Sequence, residues 1–141
     1  MSSERKLNDS LKNLRKTVDK LKSALLVPND RELVVEGTIQ RFEVVVELLW
    51  KTLNRALKYE GITLRPDSPR ETMKAGFAIG WLHNTILWQD LLDKRNTTSH
   101  EYLDSELIEN NYADIKAVTP EIIKVLELLE QRYSSFEGPG K

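Results

Sequence analysis

Apolar residues recur every three or four positions near the start of this chain, and this period restricts its fold more than any other feature of the sequence. The positions are Leu7, Leu11, Leu14, Val18, Leu21 and Leu25. Steps of four and three residues place such side chains on one stripe of an α-helix. The charged residues between them predict a basic, solvated face: Lys12, Arg15, Lys16, Asp19, Lys20 and Lys22. A basic helix face could bind RNA, but a solubilising surface is the simpler interpretation.

A longer second helix is predicted from about Asp30 to Tyr59, between Pro28 and Gly61. Its apolar residues form two neighbouring rows, Phe42, Val45, Leu49 and Leu53 in one and Val46, Trp50, Leu53 and Leu57 in the other. An apolar face of this width is typical of a central helix that packs on more than one side. Gly37 within this helix indicates either close packing or a kink.

A short third helix is predicted from Ser68 to about Gly80. Ser68 is the expected N-cap, Pro69 suits the first helical position, and Glu71 completes a capping box. The side chains expected to line this helix are those of Met73, Phe77 and Trp81. At the junction that follows, His83 is interpreted as a surface or turn residue.

A fourth helix is predicted over roughly 84–95, with Asn84 as its cap and with Ile86, Leu87, Trp88 and Leu91 in the core. The next four residues, 96–99, favour caps and turns, so the backbone is expected to break there. A last helical region begins near Asp104 and carries Ile108, Tyr112, Ile115, Val118, Ile122, Leu126, Leu129 and Tyr133. Within it, Pro120 either kinks the helix or begins a new one with Thr119 as cap.

These elements predict an all-α fold, an antiparallel up-and-down four-helix-type bundle with an additional short helix. The 141 residues fit one domain over 1–133, and the Gly-Pro-Gly sequence indicates a flexible tail over 134–141. The chain has no cysteine, which excludes disulfides and thiolate zinc sites and is compatible with a cytoplasmic protein. Charged residues interrupt its most apolar region, so no membrane span is expected.

The sequence excludes several chemistries. It contains no Gly-rich phosphate loop ending in Lys-Ser/Thr and no Gly-x-Gly-x-x-Gly. It also lacks a Gly-Ser pair followed by Asp-x-Asp, the metal-binding signature of a nucleotidyltransferase. Two separated histidines without cysteine do not favour a metal site. The formal net charge of −1 means that any contact with nucleic acid must come from a local patch.

Arg95, His100 and Tyr102 bring a cation, an imidazole and a phenol together within eight residues. Arginine suits a phosphate, and histidine changes charge near neutral pH. In the simpler interpretation, Arg95 interacts with a helix C-terminal dipole and His100 forms a hydrogen bond in a turn. In the functional interpretation, Arg95 holds a phosphate and His100 moves a proton without a metal. The 2′-hydroxyl of RNA would then be the nucleophile, and a two-fold dimer would provide a second histidine.

The segment from Arg95 to Tyr102 resembles the Arg-x(4–6)-His motif of HEPN domains, in the form extended by x-Tyr. Two further segments, 37–53 and 68–72, resemble the nucleotidyltransferase substrate-binding subfamily of HEPN proteins. The three segments occur in order, and the similar regions cover roughly Leu7 to Tyr133. One position departs from the pattern, because Leu103 stands where an acidic residue is expected after the tyrosine.

The resemblance implies a prokaryotic, homodimeric bundle that docks a separate minimal nucleotidyltransferase. That partner would use Mg and a nucleoside triphosphate, so this chain is expected to hold no cofactor and to act as a non-catalytic, substrate-binding subunit. The alternative that it implies is a metal-independent ribonuclease of a toxin–antitoxin pair, with RNA as a further partner. Arg95 and His100 would then be catalytic. In either case, the residues expected to bind the substrate or nucleotide are Arg95, Asn96, Ser99 and His100. Adenylylation of Tyr102 by the partner would silence the ribonuclease.

Overall fold

The structure, a computed structural model, describes residues 2–28, 32–84, 88–89 and 105–133. Over these ranges it contains four helices and no strand: α1 (Ser2–Leu26), α2 (Glu32–Tyr59), α3 (Pro69–Ala78) and α4 (Ser105–Tyr133). Residues 88–89 are also helical, while most of the fourth predicted helix and the predicted tail lie outside the described residues. The all-α class is confirmed, and the helices pack as a bundle.

Contacts at the helix ends fix the direction of the long helices. The Tyr59 hydroxyl donates to the Glu4 carboxylate at 3.2 Å, so the end of α2 lies beside the start of α1 and these helices are antiparallel. Arg132, near the end of α4, donates to Glu60 just after α2 at 3.2 Å. The helices α2 and α4 therefore run parallel. Between Tyr59 and Ser105 the chain returns to the opposite end of the bundle, as an up-and-down order requires.

The helix α2 is central, as its two apolar rows predict, because it packs against α1, α3 and α4. Its fully buried side chains include Val45, Val46, Leu49, Leu53 and Leu57. The stripe of α1 is also confirmed: Leu7, Leu11, Leu14, Val18 and Leu21 are buried, and Leu25 packs against the core from its edge. Trp50 is only half-buried, and its indole N–H donates to the Glu47 carboxylate at 3.0 Å.

Glycine ends α2 and α3 in the same way. Gly61 and Gly80 have φ values of +85° and +82°, a left-handed conformation that is costly for other residues. After α3, the Trp81 N–H donates to the Gly76 carbonyl at 2.9 Å and the Gly80 N–H donates to Phe77 at 3.1 Å. This bonding pattern is the Schellman motif, which pairs carbonyls that a helix end otherwise leaves free. It carries the Trp81 ring beyond α3 and into the core.

The start of α3 follows the sequence prediction. The Ser68 hydroxyl accepts a hydrogen bond from the Glu71 N–H at 3.2 Å, and Pro69 is the first residue of the helix. At the following junction, His83 is exposed as predicted, and the Asn84 carbonyl accepts from the Trp88 N–H at 3.3 Å. The serine cap and the surface histidine are both confirmed.

The helix α4 is continuous through Pro120, so the alternative in which Thr119 caps a new helix is wrong. Thr119 is buried in mid-helix, and its hydroxyl donates to the Ile115 carbonyl at 2.6 Å. Pro120 has no backbone N–H, so the Lys116 carbonyl loses its usual hydrogen-bond donor. Both residues lie on the exposed side of the helix. The helix α2 likewise continues through Gly37, where an added Cβ would meet no atom of a described residue within 4 Å. Close packing against the described residues therefore does not explain Gly37.

Candidate functional site

The predicted site lies between two described segments. On its N-terminal side, the Trp88 side chain is buried with 1% of its surface exposed. On its C-terminal side, α4 begins at Ser105. The predicted site residues Arg95, Asn96, Ser99, His100 and Tyr102 all lie outside the described residues. Their roles therefore stay predictions.

The described helices show at which end of the bundle the motif segment joins α4. At 1.5 Å per residue, the 29 residues of α4 span about 43 Å. Ser105 is at one end of this length, and Tyr133, which packs against the end of α2, is at the other. The chain that carries the motif thus enters α4 at the end of the bundle remote from Tyr133.

The end marked by Tyr133 holds a polar and aromatic cluster, here called the C-terminal junction: Tyr59, Glu60, Trp81, Arg132 and Tyr133. One oxygen of the Glu60 carboxylate, Oε2, accepts from the Tyr133 hydroxyl at 2.8 Å and from Arg132 Nε at 3.2 Å. Hydrogen bonds to a charged group are stronger than those between neutral groups. The carboxylate therefore ties the ends of α2 and α4 together.

Aromatic rings enclose this junction. The Tyr133 ring packs edge-to-face against Tyr59 and Trp81, with centroid distances of 5.9 and 6.5 Å. The Arg132 guanidinium lies 5.4 Å from the centroid of the Trp81 ring, a cation–π distance. Such ring pairs add to the free energy gained from burial alone. The junction thus joins three parts of the chain: the end of α2, the end of α4, and the turn that follows α3.

The contacts of the junction favour an ionised Glu60 carboxylate and a neutral Tyr133 hydroxyl. Hydrogen bonds from Arg132 and Tyr133 hold the pKa of Glu60 below its usual value. Burial, together with the hydrogen bond to Glu60, raises the pKa of Tyr133 to about 12. From sequence, Tyr133 is only the last residue of an apolar stripe, because its partner Glu60 is 73 residues away.

A Tyr133→Phe variant tests this linkage. The folded-state pKa of Tyr133 lies above the ordinary value of 10, so its contribution to stability is full below pH 10 and is lost as the pH rises towards 12. We expect the variant to unfold about 1 kcal/mol more easily in urea at pH 7, through loss of the hydrogen bond to Glu60. It should also lose less stability than the wild type between pH 10 and 12. An undiminished alkaline loss would contradict this prediction, and Tyr112→Phe, a buried tyrosine of the same helix, is the control.

Polar contacts also join α1 to its neighbours. Arg15 binds the Glu130 carboxylate of α4 through two bonds, Nε–Oε2 at 2.9 Å and Nη2–Oε1 at 2.6 Å. This two-point geometry fixes the orientation of the pair as well as its separation. Arg55 of α2 donates to the Ser10 hydroxyl of α1. The face of α1 between α2 and α4 is thereby held in a defined orientation.

The described residues contain neither a metal-binding cluster nor a helix that could span a membrane. Over the described ranges, no three His, Asp or Glu side chains are grouped so as to hold a metal ion, and the chain has no cysteine. None of the described helices has an apolar run long enough to cross a membrane.

The fold and the contacts described above define an all-α bundle protein built around a central helix. A family model described as "Nucleotidyltransferase substrate binding protein like" matches residues 5–131. A curated relative, "Probable ribonuclease HepT" of Haemophilus influenzae, is 30% identical over 105 residues, which cover 72% of this chain and 71% of the relative. The chain therefore belongs to the nucleotidyltransferase substrate-binding family, as the three sequence segments predicted.

Proposed function

We propose that this chain is the non-catalytic, substrate-binding subunit of a two-component nucleotidyltransferase system, and that it docks a separate minimal nucleotidyltransferase chain as a homodimer. The observation that carries the proposal is the family match, which covers almost all of the chain. The subunit would act in the cytoplasm of a prokaryote and present a substrate to its partner.

The sequence supports a division of labour between two chains. Nucleotide transfer needs groups that hold Mg and a triphosphate, and this chain lacks the Gly-Ser and Asp-x-Asp elements that supply them in nucleotidyltransferases. A small partner with these elements would bring the Mg and the nucleoside triphosphate. This chain would then contribute a rigid helical surface, with α2 held on three sides by the other described helices.

Co-expression with a minimal nucleotidyltransferase tests the docking. Light scattering should give the chain alone twice its 16.3 kDa mass, and should give the mixture a larger, stable complex that contains two copies of this chain. A partner variant with both aspartates of Asp-x-Asp changed to asparagine should assemble equally well, since docking does not require transfer. Separate elution of the two chains at micromolar concentration would contradict the proposal.

A second candidate, a metal-independent ribonuclease, is favoured by the name of the curated relative, "Probable ribonuclease HepT". In this candidate Arg95 binds the scissile phosphate, and His100 takes the proton of the adjacent 2′-hydroxyl. The 2′-oxygen then attacks phosphorus and the bond from phosphorus to the 5′-oxygen breaks. The second histidine of a dimer protonates that leaving oxygen, which gives a 2′,3′-cyclic phosphate and a 5′-hydroxyl. A nucleotide on Tyr102 would block the site.

RNA cleavage in EDTA tests the second candidate. Intact-mass measurement must first show that Tyr102 carries no nucleotide, because a modified protein would be silent for a trivial reason. The unmodified protein should cleave RNA in EDTA and leave cyclic phosphate ends. Intact RNA across varied sequences would contradict the ribonuclease and leave the binding subunit.

A further inference from the structure

Positive charge is unevenly distributed over this protein. Helix α1 contains five lysines, two arginines and three carboxylates, a net charge of +4, whereas the whole chain has a net charge of −1. The rest of the chain is therefore acidic, and α1 provides the local basic patch that contact with a nucleic acid would require.

Four of the five lysines described in the other helices have a carboxylate partner, and the fifth, Lys116, has its Nζ 5.9 Å from the centroid of the Tyr112 ring. Lys51, Lys58, Lys74 and Lys124 each lie within 4 Å of a carboxylate oxygen. Lys12, Lys16 and Lys20 are exposed, and no carboxylate of a described residue lies within that distance of them. Their charges are thus available to a partner without the loss of an existing ion pair.

These three residues, here called the lysine row, form a line along the outer face of α1. Lys16 is two residues from both Leu14 and Val18, and two steps of about 100° place it opposite these buried side chains. Lys12 and Lys20 lie one turn away on either side, so the ammonium groups start from positions about 6 Å apart along the helix. The row is regular, turns by about 40° around the helix axis at each step, and is directed away from the core.

A groove lies on each side of the lysine row. Lys12 and Lys16 border a groove of about 450 Å³ between α1 and α4. Lys20 borders another, of about 540 Å³, between α1 and α2. Three carboxylates are near: Asp19 and Glu130 are both bonded to Arg15, and Asp9 is exposed on the same face one turn before Lys12. The surface is therefore a ridge of positive charge with a single competing carboxylate on its line.

The chemistry of this ridge favours a chain of phosphates over an acidic protein. Lysine is depleted from protein–protein interfaces, where aromatic and apolar anchors supply most of the affinity. The row contains no such anchor, whereas a row of flexible ammonium groups suits the evenly spaced charges of a nucleic acid backbone. We propose that the lysine row binds the phosphate backbone of single-stranded RNA, without sequence preference and apart from the Arg95–Tyr102 motif.

This inference rests on the ribonuclease candidate only for the choice of RNA, and its test does not require cleavage. Binding of a fluorescent, 2′-O-methylated single-stranded RNA is measured by anisotropy over a range of salt concentrations, since this RNA has no free 2′-hydroxyl to react. The variant is Lys12→Gln/Lys16→Gln/Lys20→Gln. The matched control is Lys51→Gln/Lys74→Gln/Lys124→Gln, which removes the same charge from exposed lysines elsewhere.

The row variant should lose affinity by about 100-fold near 0.1 M salt, because each phosphate contact to a single strand contributes about 0.7 to the salt slope. The slope of the logarithm of its binding constant against the logarithm of the salt concentration should become less negative by about 2. The control should keep the slope of the wild type. Asp9→Asn should raise the affinity. Equal losses in the row variant and the control, or no RNA binding by the wild type at low salt, would overturn the inference.

The nucleotidyltransferase complex provides a second readout. If the row variant still binds RNA as the wild type does but no longer forms that complex, the inference is wrong and the row belongs to the protein partner. If the wild type binds RNA through the row but does not cleave unmodified RNA, the ribonuclease candidate fails and the inference stands.

Discussion

Replacement of His100 by alanine is expected to lower metal-independent RNA cleavage by at least about 100-fold if the chain is a ribonuclease, because a positioned general base or acid contributes 10²- to 10⁴-fold. The reason is chemical, since the 2′-hydroxyl attacks phosphorus only as it loses its proton. Arg95→Ala should cause a comparable loss, because a cation that stabilises charge on the phosphate is removed. RNA binding through the lysine row should persist in both variants.

The matched control for His100 is the other histidine of the chain. His83 is exposed after α3, and His83→Ala should cleave as the wild type does. Cleavage of a labelled RNA is followed in EDTA with all variants at equal concentration and with their helix content checked by circular dichroism. Full activity in folded His100→Ala, or an equal loss in His83→Ala, would contradict the assignment of His100.

Leu53→Ala is expected to reduce the free energy of unfolding by about 3 kcal/mol. Leu53 is fully buried in α2, and its Cδ2 lies 3.4 Å from the position that a Cβ on Gly76 of α3 would occupy. Truncation would leave a cavity between two helices, and removal of a buried leucine costs the transfer free energy of the lost atoms plus a term for the cavity. The lost contacts would weaken the packing of α2 against α3.

The same substitution at Leu33 serves as the control for Leu53. Leu33 is on the same helix, but 81% of its surface is exposed, so Leu33→Ala should change stability by less than about 0.5 kcal/mol. Urea unfolding followed by circular dichroism compares the two variants. Equal effects would show that Leu53 does not have the buried environment described here.

Local sequence signals predicted much of this fold. The apolar period of α1 and the double row of α2 gave two helices and their buried faces, because burial of a continuous stripe requires a helical repeat. Gly61 ended α2 and Ser68 with Pro69 began α3, because the caps depend on residues within one turn. The motif of Arg95, His100 and Tyr102 was also found from sequence, although its geometry lies outside the described residues.

Other features depended on residues far apart in the chain. The sequence left Pro120 as either a kink or a new start, and one continuous helix with a buried Thr119–Ile115 bond excludes the new start. The C-terminal junction had no local signal, because Glu60 meets Arg132 and Tyr133 only when α2 and α4 end side by side. The shifted pKa values of Glu60 and Tyr133 result from these contacts between the helix ends.

The sequence by itself thus determined the four described helices, most of their ends and the family, and it predicted the residues of the site. Each of these depends on a period, a cap or a motif contained in a short segment. Only the tertiary structure decided which charges are paired. Arg15 of α1 binds Glu130, whereas the row of three lysines beside it has no carboxylate partner among the described residues. Pairing depends on distances between helices, and a linear pattern of charges does not contain those distances.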